Sequence, residues 1–200
     1  MRLRPHGASA LAALLVLGAT LALAGYARAD GHRPELVVDV GRTLAVEAGP
    51  AGGGFSLGLS LMWPLEDHFR VGMVVFADGL GEETGRLIGP GGVDLGPVAA
   101  FHRAAQGAAL RLEAHLPGKH AIEAHLAATW GFYRVKDDVR GTSLGSDDAA
   151  GFGLGVGLLR PFNEHHAAGV ALRAQQLSRS SAGRYLTAAL EWRWSMGAGD

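Results

Sequence analysis

Residues 55 to 63 read Phe-Ser-Leu-Gly-Leu-Ser-Leu-Met-Trp, with a large apolar side chain at every odd position and mostly small or polar ones between. Side chains alternate between two faces only along an extended strand, so a period of two predicts β-structure. The same period returns near the end of the chain. There Leu186, Ala188, Leu190, Trp192 and Trp194 oppose Tyr185, Thr187, Ala189, Glu191 and Arg193. It returns again where Phe152, Leu154, Val156 and Leu158 alternate with Gly151, Gly153, Gly155 and Gly157. A helix would scatter these residues around its circumference, and each glycine would cost it about 1 kcal/mol. The expectation is an all-β fold.

Three hairpins share one design, a strand followed by proline, a few turn residues, histidine and a second strand. They are Pro64-Leu-Glu-Asp-His68, Pro117-Gly-Lys-His120 and Pro161-Phe-Asn-Glu-His165. Proline cannot donate to a strand ladder, so each is expected to end its strand. Folding the turns back sets Leu59 opposite Met73, Arg111 opposite His125 and Leu154 opposite Leu172, with apolar positions on one face. A first strand over Glu35–Ala48 and a last over Arg184–Ser195 bring the expected number to eight. The remaining connections are Gly49–Gly53, Leu80–Gly107, Lys136–Ala150 and Ser178–Gly183, with Val93–Arg103 either extending the fourth strand or adding one. Short turns at one end and longer loops at the other are the asymmetry of an antiparallel, up-and-down transmembrane β-barrel.

The two faces differ chemically. One carries Leu, Val, Ala, Phe and Trp, with Trp63, Trp130, Phe132, Trp192 and Trp194 near strand ends, where an aromatic girdle would lie. The other carries Asp39, Thr43, Glu47, Arg70, Arg111, Glu113, His115, Glu123, His125, Thr129, Tyr133, Arg173, Gln175, Thr187, Glu191 and Arg193. Its five acids and four arginines are nearly balanced. An eight-stranded barrel has an interior just wide enough for side chains to fill, and opposite charges there can pair. The expected lumen network is Asp39, Glu47, Arg70, Arg111, Glu113, Glu123, His125, Arg173, Glu191 and Arg193. A soluble carrier barrel with an apolar lumen is the competing architecture. Its water-facing wall would be studded with lysine, yet Lys119 and Lys136 are the only lysines in the chain.

The N-terminus has the three parts of a secretory signal: Arg2 and Arg4, an uncharged run from Ala8 to Ala24, and Ala27-Arg28-Ala29. Cleavage after Ala29 is expected, leaving a barrel domain over 30–200. The removed segment holds three arginines and no acid, so 18 basic and 19 acidic residues become 15 and 19. That balance, without a basic stripe, argues against nucleic acid as a partner. The absence of cysteine excludes disulfides, thiolate metal sites and a lipid-modified N-terminal cysteine.

The whole pattern resembles the small eight-stranded outer-membrane β-barrel domains, those like the transmembrane part of outer membrane protein A. Thr187-x-Ala189-x-x-Trp192-x-Trp194 resembles the terminal-strand signal of such barrels. Alanine stands where glycine is usual, and Ser-Met-Gly-Ala-Gly-Asp follows where a typical member ends on an aromatic residue. The resemblance implies export through the general secretory pathway to the outer membrane. It implies contact with periplasmic chaperones and the barrel-assembly machinery, a lipid environment, and a monomer.

Few motifs in the chain could carry chemistry. Gly153-x-Gly155-x-Gly157 continues a strand, so it is not a phosphate loop; inner glycines would instead leave room for neighbours such as Arg173. His115, His120 and His125 lie near one hairpin, but His120 has the opposite parity, which favours polar turn and lumen roles over metal ligation. Glu113 and Glu123 are expected to face each other and to be neutralised by arginines. The stretch Leu172-Arg-Ala-Gln-Gln-Leu-Ser178-Arg-Ser-Ser-Ala-Gly resembles a degenerate form of the catalytic strand in barrel lipid A deacylases, with Ser178 at the serine and Glu191 near the acid. Gln176 stands where that family has histidine and Arg179 where it has asparagine. Glutamine cannot accept the serine proton, so a Ser–His mechanism fails. The expected protein is non-enzymatic, without cofactor or metal, its lumen plugged and its outer loops free for envelope or surface contacts.

Overall fold

The computed structural model describes residues 33–46, 53–83, 86–88, 90–97, 101–116, 122–139, 142–178 and 183–196. Its strands are β1 (Glu35–Ala45), β2 (Gly53–Glu66), β3 (Phe69–Glu83), β4 (Arg86–Ile88), β5 (Asp94–Pro97), β6 (Phe101–Leu116), β7 (Glu123–Val139), β8 (Thr142–Pro161), β9 (His166–Leu177) and β10 (Arg184–Ser195). Eight of them close into an antiparallel barrel in the order β1-β10-β9-β8-β7-β6-β3-β2, while β4 and β5 form a separate two-stranded sheet. Apart from the β4–β5 excursion each strand pairs with its sequence neighbour, and β1 meets β10 to close the ring.

The register fixes the shape of the wall. From Arg184 the cross-strand partners run through Gln176, Phe152, Trp130, Leu110, Met73, Leu61 and Leu36 and return to β10 at Trp194, ten residues along. A slip of ten residues around eight strands tilts them by about 40° and sets Arg184 some 25 Å above Trp194 along the axis.

All three hairpins fold back later than the prolines suggest. Leu59 pairs with Val75 and Leu61 with Met73. Arg111 pairs with Thr129, and it is His115 that meets His125. Leu154 pairs with Ala174, and Val156 with Leu172. The displacements are two, four and two residues, all even, so the pairing itself preserves the expected parity of the strands. The cause is visible at β2, which runs through Pro64 to Glu66 and leaves only Asp67 and His68 to turn. An irregularity between Pro64 and Glu66 accommodates the ring, since a bulge tolerates a missing ladder donor. In the β8–β9 turn the Asn163 side-chain oxygen accepts the backbone N–H groups of His165 and His166, each at 2.8 Å.

At the other end the strands are longer than expected. The segments assigned to the loops Leu80–Gly107 and Lys136–Ala150 are largely ladder, because β3 continues to Glu83, β6 begins at Phe101, and β7 and β8 run to Val139 and from Thr142. Their apolar alternation is interrupted by Asp137, Asp138, Ser146 and Asp147, which reads as loop in one dimension. Cross-strand ion pairs replace apolar contact there: Arg103 to Asp137 and Arg134 to Asp148, both at 2.8 Å between register partners. Residues 142–150 of β8 rise above the first β8–β9 pair, Gly151 with Leu177. This part of the wall therefore projects beyond the rim. Val93–Arg103 is divided between β5 and the start of β6. The first strand ends at Ala45 instead of Ala48.

Candidate functional site

The inward side chains of the described strands form three layers. Nearest the short turns, four carboxylates (Glu35, Asp39, Glu113 and Glu191) face four guanidinium groups (Arg70, Arg111, Arg173 and Arg193). Arg111 is central: it lies 3.1 Å from Asp39, 2.6 Å from Glu113 and 3.0 Å from Glu191, with 1% of its surface exposed. Arg193 reaches Glu191 at 2.6 Å, Glu113 at 2.8 Å and Glu35 at 3.3 Å. Arg173 shares Asp39 with Arg111, at 3.1 Å, and Arg70 holds Glu35 at 2.9 Å. Such a cluster is tolerated away from water only because the charges balance and each carboxylate has an arginine within contact distance.

Above it lies a layer of hydroxyl, amide and carboxyl groups. Asp78 accepts hydrogen bonds from the hydroxyls of Ser56, at 2.5 Å, and Tyr185, at 3.0 Å. Tyr133 donates to Gln175, which donates to Thr129. Thr43 donates to the Gly79 carbonyl, joining β1 to β3 over Gly54 of the intervening β2. The third layer, toward the loop end, is apolar: Leu80, Ala105, Val135, Ala149 and Leu177 cluster with Tyr133 and Tyr185, each no more than 6% exposed. A lumen polar throughout was expected; the wall above Tyr133 instead turns apolar side chains inward.

Most of the expected lumen residues meet in this cluster. Asp39, Arg111, Glu113, His125, Arg173, Glu191 and Arg193 are buried, and Arg70 is partly so. Glu47 lies outside the described residues; Glu35, which opens β1, adds a carboxylate to the cluster through Arg70 and Arg193. Glu123 is at the rim, with 40% of its side chain exposed, 3.6 Å from His115. It does not face Glu113. The four-residue displacement of the β6–β7 register sets Glu113 opposite Ala127, Glu123 pairs with Leu159 on β8, and His115 stands between the two acids, 3.0 Å from Glu113. His115 and His125 stack, ring centres 5.5 Å apart, while His120 lies outside the described residues. Asp78 and Tyr185 were not singled out, although inward parity along β3 and β10 was the signal that marks them.

The inner glycines of β8 are space for this filling. A Cβ on Gly157 would sit 2.1 Å from the His125 ring, one on Gly153 2.3 Å from the Gln175 amide, and one on Gly155 3.0 Å from the Arg173 stem. No group of three or more His, Asp or Glu side chains among the described residues converges as metal ligands do.

The outer wall is apolar. Leu59, Leu126, Leu154, Val156, Leu172 and Leu190 are 45–67% exposed. Trp130, Phe132, Trp192 and Trp194 are exposed as a girdle requires, but Trp63 has only 7% of its surface exposed and does not join them. His166 lies against both Trp192 and Trp194 at the turn end. Between Arg134 and Arg184 at the loop end and Arg160 at the turn end, the band is the ~25 Å height of a membrane's apolar zone. Thr187 and Ala189 point into the lumen while Trp192 and Trp194 point outward. Ser178 is exposed and donates to the Ala150 carbonyl at 2.8 Å. Glu191 is buried in the lumen, seven residues along β10 from Gln176's partner Arg184, so the serine and the acid are not brought together.

A closed, eight-stranded, up-and-down barrel with tight turns at one end, an apolar outer wall and a charged interior is the fold of the small outer-membrane β-barrels. Three solved structures share it with this chain. Neisserial surface protein A is 13% identical with a TM-score of 0.58, the match covering 83% of this chain and 97% of that one. The N-terminal barrel domain of Pseudomonas aeruginosa OprF is 15% identical with a TM-score of 0.52, covering 82% and 99%. The attachment invasion locus protein Ail of Yersinia pestis, solved with the heparin analogue sucrose octasulfate, is 10% identical with a TM-score of 0.51, covering 82% and 99%. No family model matches the chain, and no curated protein matches it in sequence.

Proposed function

We propose that this protein is exported with loss of residues 1–29 and inserted as a monomer in the outer membrane. There it serves as a non-enzymatic scaffold whose lumen is closed and whose projecting β6–β7–β8 wall makes contacts outside the envelope. The observation that carries this reading is the pairing of an apolar outer band with a turn-end lumen cluster of four carboxylates and four arginines. An apolar outer wall and a charged interior are the wrong way round for a soluble carrier, whose surface meets water and whose ligand needs an apolar interior. The terminal strand, with Thr187 and Ala189 inward and Trp192 and Trp194 outward, is the segment proposed to engage the assembly machinery. The Yersinia protein was solved with a sulfated sugar. Here the described part of the projecting wall carries Asp137, Asp138, Asp147 and Asp148 beside Arg103, Arg134 and Lys136, with both arginines already paired to Asp137 and Asp148, so it is not the basic surface that a sulfated partner would require.

Envelope fractionation tests the location. The protein is expected in the outer-membrane fraction, migrating as a compact band on a gel unless boiled. Recovery in the soluble periplasm without detergent would overturn the proposal.

A further inference from the structure

The outer wall is not uniformly convex. Where β7, β8, β9, β10 and β1 follow one another it is indented by a groove of about 780 Å³, within the range of ligand sites. One register row forms its length: Arg42, Ala188, Leu172, Val156 and Leu126 are successive cross-strand partners. Ala174 and Ala188 supply low ground between the taller side chains of Leu186, Leu172 and Leu154, which explains the indentation. Because the strands tilt, this row descends from β1 to β7. Arg42 is its high point, roughly 7 Å below the level of Arg184, and Leu126 lies deeper in the band.

Arg42 is the feature that needs an explanation. Between the levels of Arg184 and Arg160 it is the one charged side chain that the described barrel strands turn outward, and no ion pair forms with another described residue. An arginine at this depth is costly unless its head reaches upward to an anion, which its long stem permits. Charge, depth and groove direction agree on the occupant. A phosphate held by Arg42 at the loop-end boundary would leave attached acyl chains to run down over Ala188, Leu172 and Val156.

We propose that this groove binds one molecule of a phosphorylated, acylated glucosamine lipid of the lipid A type, since the loop end faces the external leaflet. Arg42 would be its phosphate anchor. The inference rests on the outer-membrane reading above, but its test does not use location.

Native mass spectrometry of the purified barrel in detergent, titrated with bisphosphorylated lipid A, measures it. Unheated gel mobility confirms that each variant is folded. One lipid is expected to be retained by the wild-type protein, about tenfold more weakly by Arg42→Gln and by the groove-filling Ala174→Phe, and equally well by Arg160→Gln. Lipid A stripped of both phosphates is expected to bind as weakly as the variants do to the intact lipid. Equal retention by wild type and Arg42→Gln would overturn the proposal, as would equal retention of the dephosphorylated lipid. So would phosphatidylglycerol binding as tightly as lipid A, because the site would then not be one for the external-leaflet lipid.

Discussion

Arg111 shows how much of this barrel depends on single side chains. Three carboxylates surround its guanidinium within 3.1 Å, and the residue is almost wholly enclosed. Removing one partner of a buried ion cluster leaves charge without compensation, so Arg111→Ala is expected to cost about 3–5 kcal/mol in unfolding free energy. Adding Glu113→Gln to Arg111→Ala should recover part of the loss, because it removes one of the stranded charges. Urea unfolding in micelles checks both variants, and strict additivity would show that the two residues do not share a cluster. Glycine 157 is the complementary case. Its missing Cβ is the space of the His125 ring, so Gly157→Ala should destabilise by about 1–3 kcal/mol through overpacking. Gly145→Ala, with nothing within 4 Å of the added carbon, should leave stability nearly unchanged.

Along a strand, the consequence of a substitution depends on depth as well as face. Leu190 lies six residues below Arg184 in a ten-residue descent to Trp194, near the middle of the apolar band, and is 67% exposed. Leu44 faces outward too, but its partner Leu186 is only two residues from Arg184. A basic residue costs most at the bilayer midplane and little near its boundary. Leu190→Arg is therefore expected to lose about 2–4 kcal/mol and Leu44→Arg about 0–1. Equal losses in a lipid-bilayer unfolding titration would contradict the placement of the band. The terminal strand β10 belongs to the same scale. Its inward side chains contribute Tyr185, Glu191 and Arg193 to the lumen, while its outward side supplies Trp192 and Trp194 with the neighbour His166.

For the molecule as a whole, the three layers of the lumen act in series. An ion path would have to pass the paired charges, the hydroxyl and amide layer, and then Leu80, Val135 and Leu177. Charge pairs that bridge an eight-stranded lumen leave little continuous water. Planar-bilayer recordings of the wild-type protein are expected to show no stable conductance of porin size. Brief, small openings should become more frequent in Arg111→Ala. Sustained porin-like conductance from the wild-type protein would refute the plug.

The division between what could be read in one dimension and what could not follows the physics of the strand. Alternation is local, and the apolar and polar faces of Phe55–Trp63, Gly151–Leu159 and Tyr185–Trp194 were legible because each side chain's face depends only on its neighbours' parity. An even slip in pairing preserves that parity. This is why Asp39, Arg111, Glu113, Arg173, Glu191 and Arg193 share one buried face even though the hairpins turn two to four residues later than the prolines suggest. Register itself is not local. It depends on where β2 can pass through Pro64 and how Asn163 shapes its turn, and so the sequence put Arg111 opposite His125 and made Glu113 face Glu123. The apolar layer at the loop end was hidden for a related reason. Asp137 and Asp147 break the hydrophobic pattern there, and only their pairing across the closed wall reveals β-structure. The groove beside Arg42 is the least local feature of all, since its residues come from five strands that are adjacent only because β1 pairs with β10.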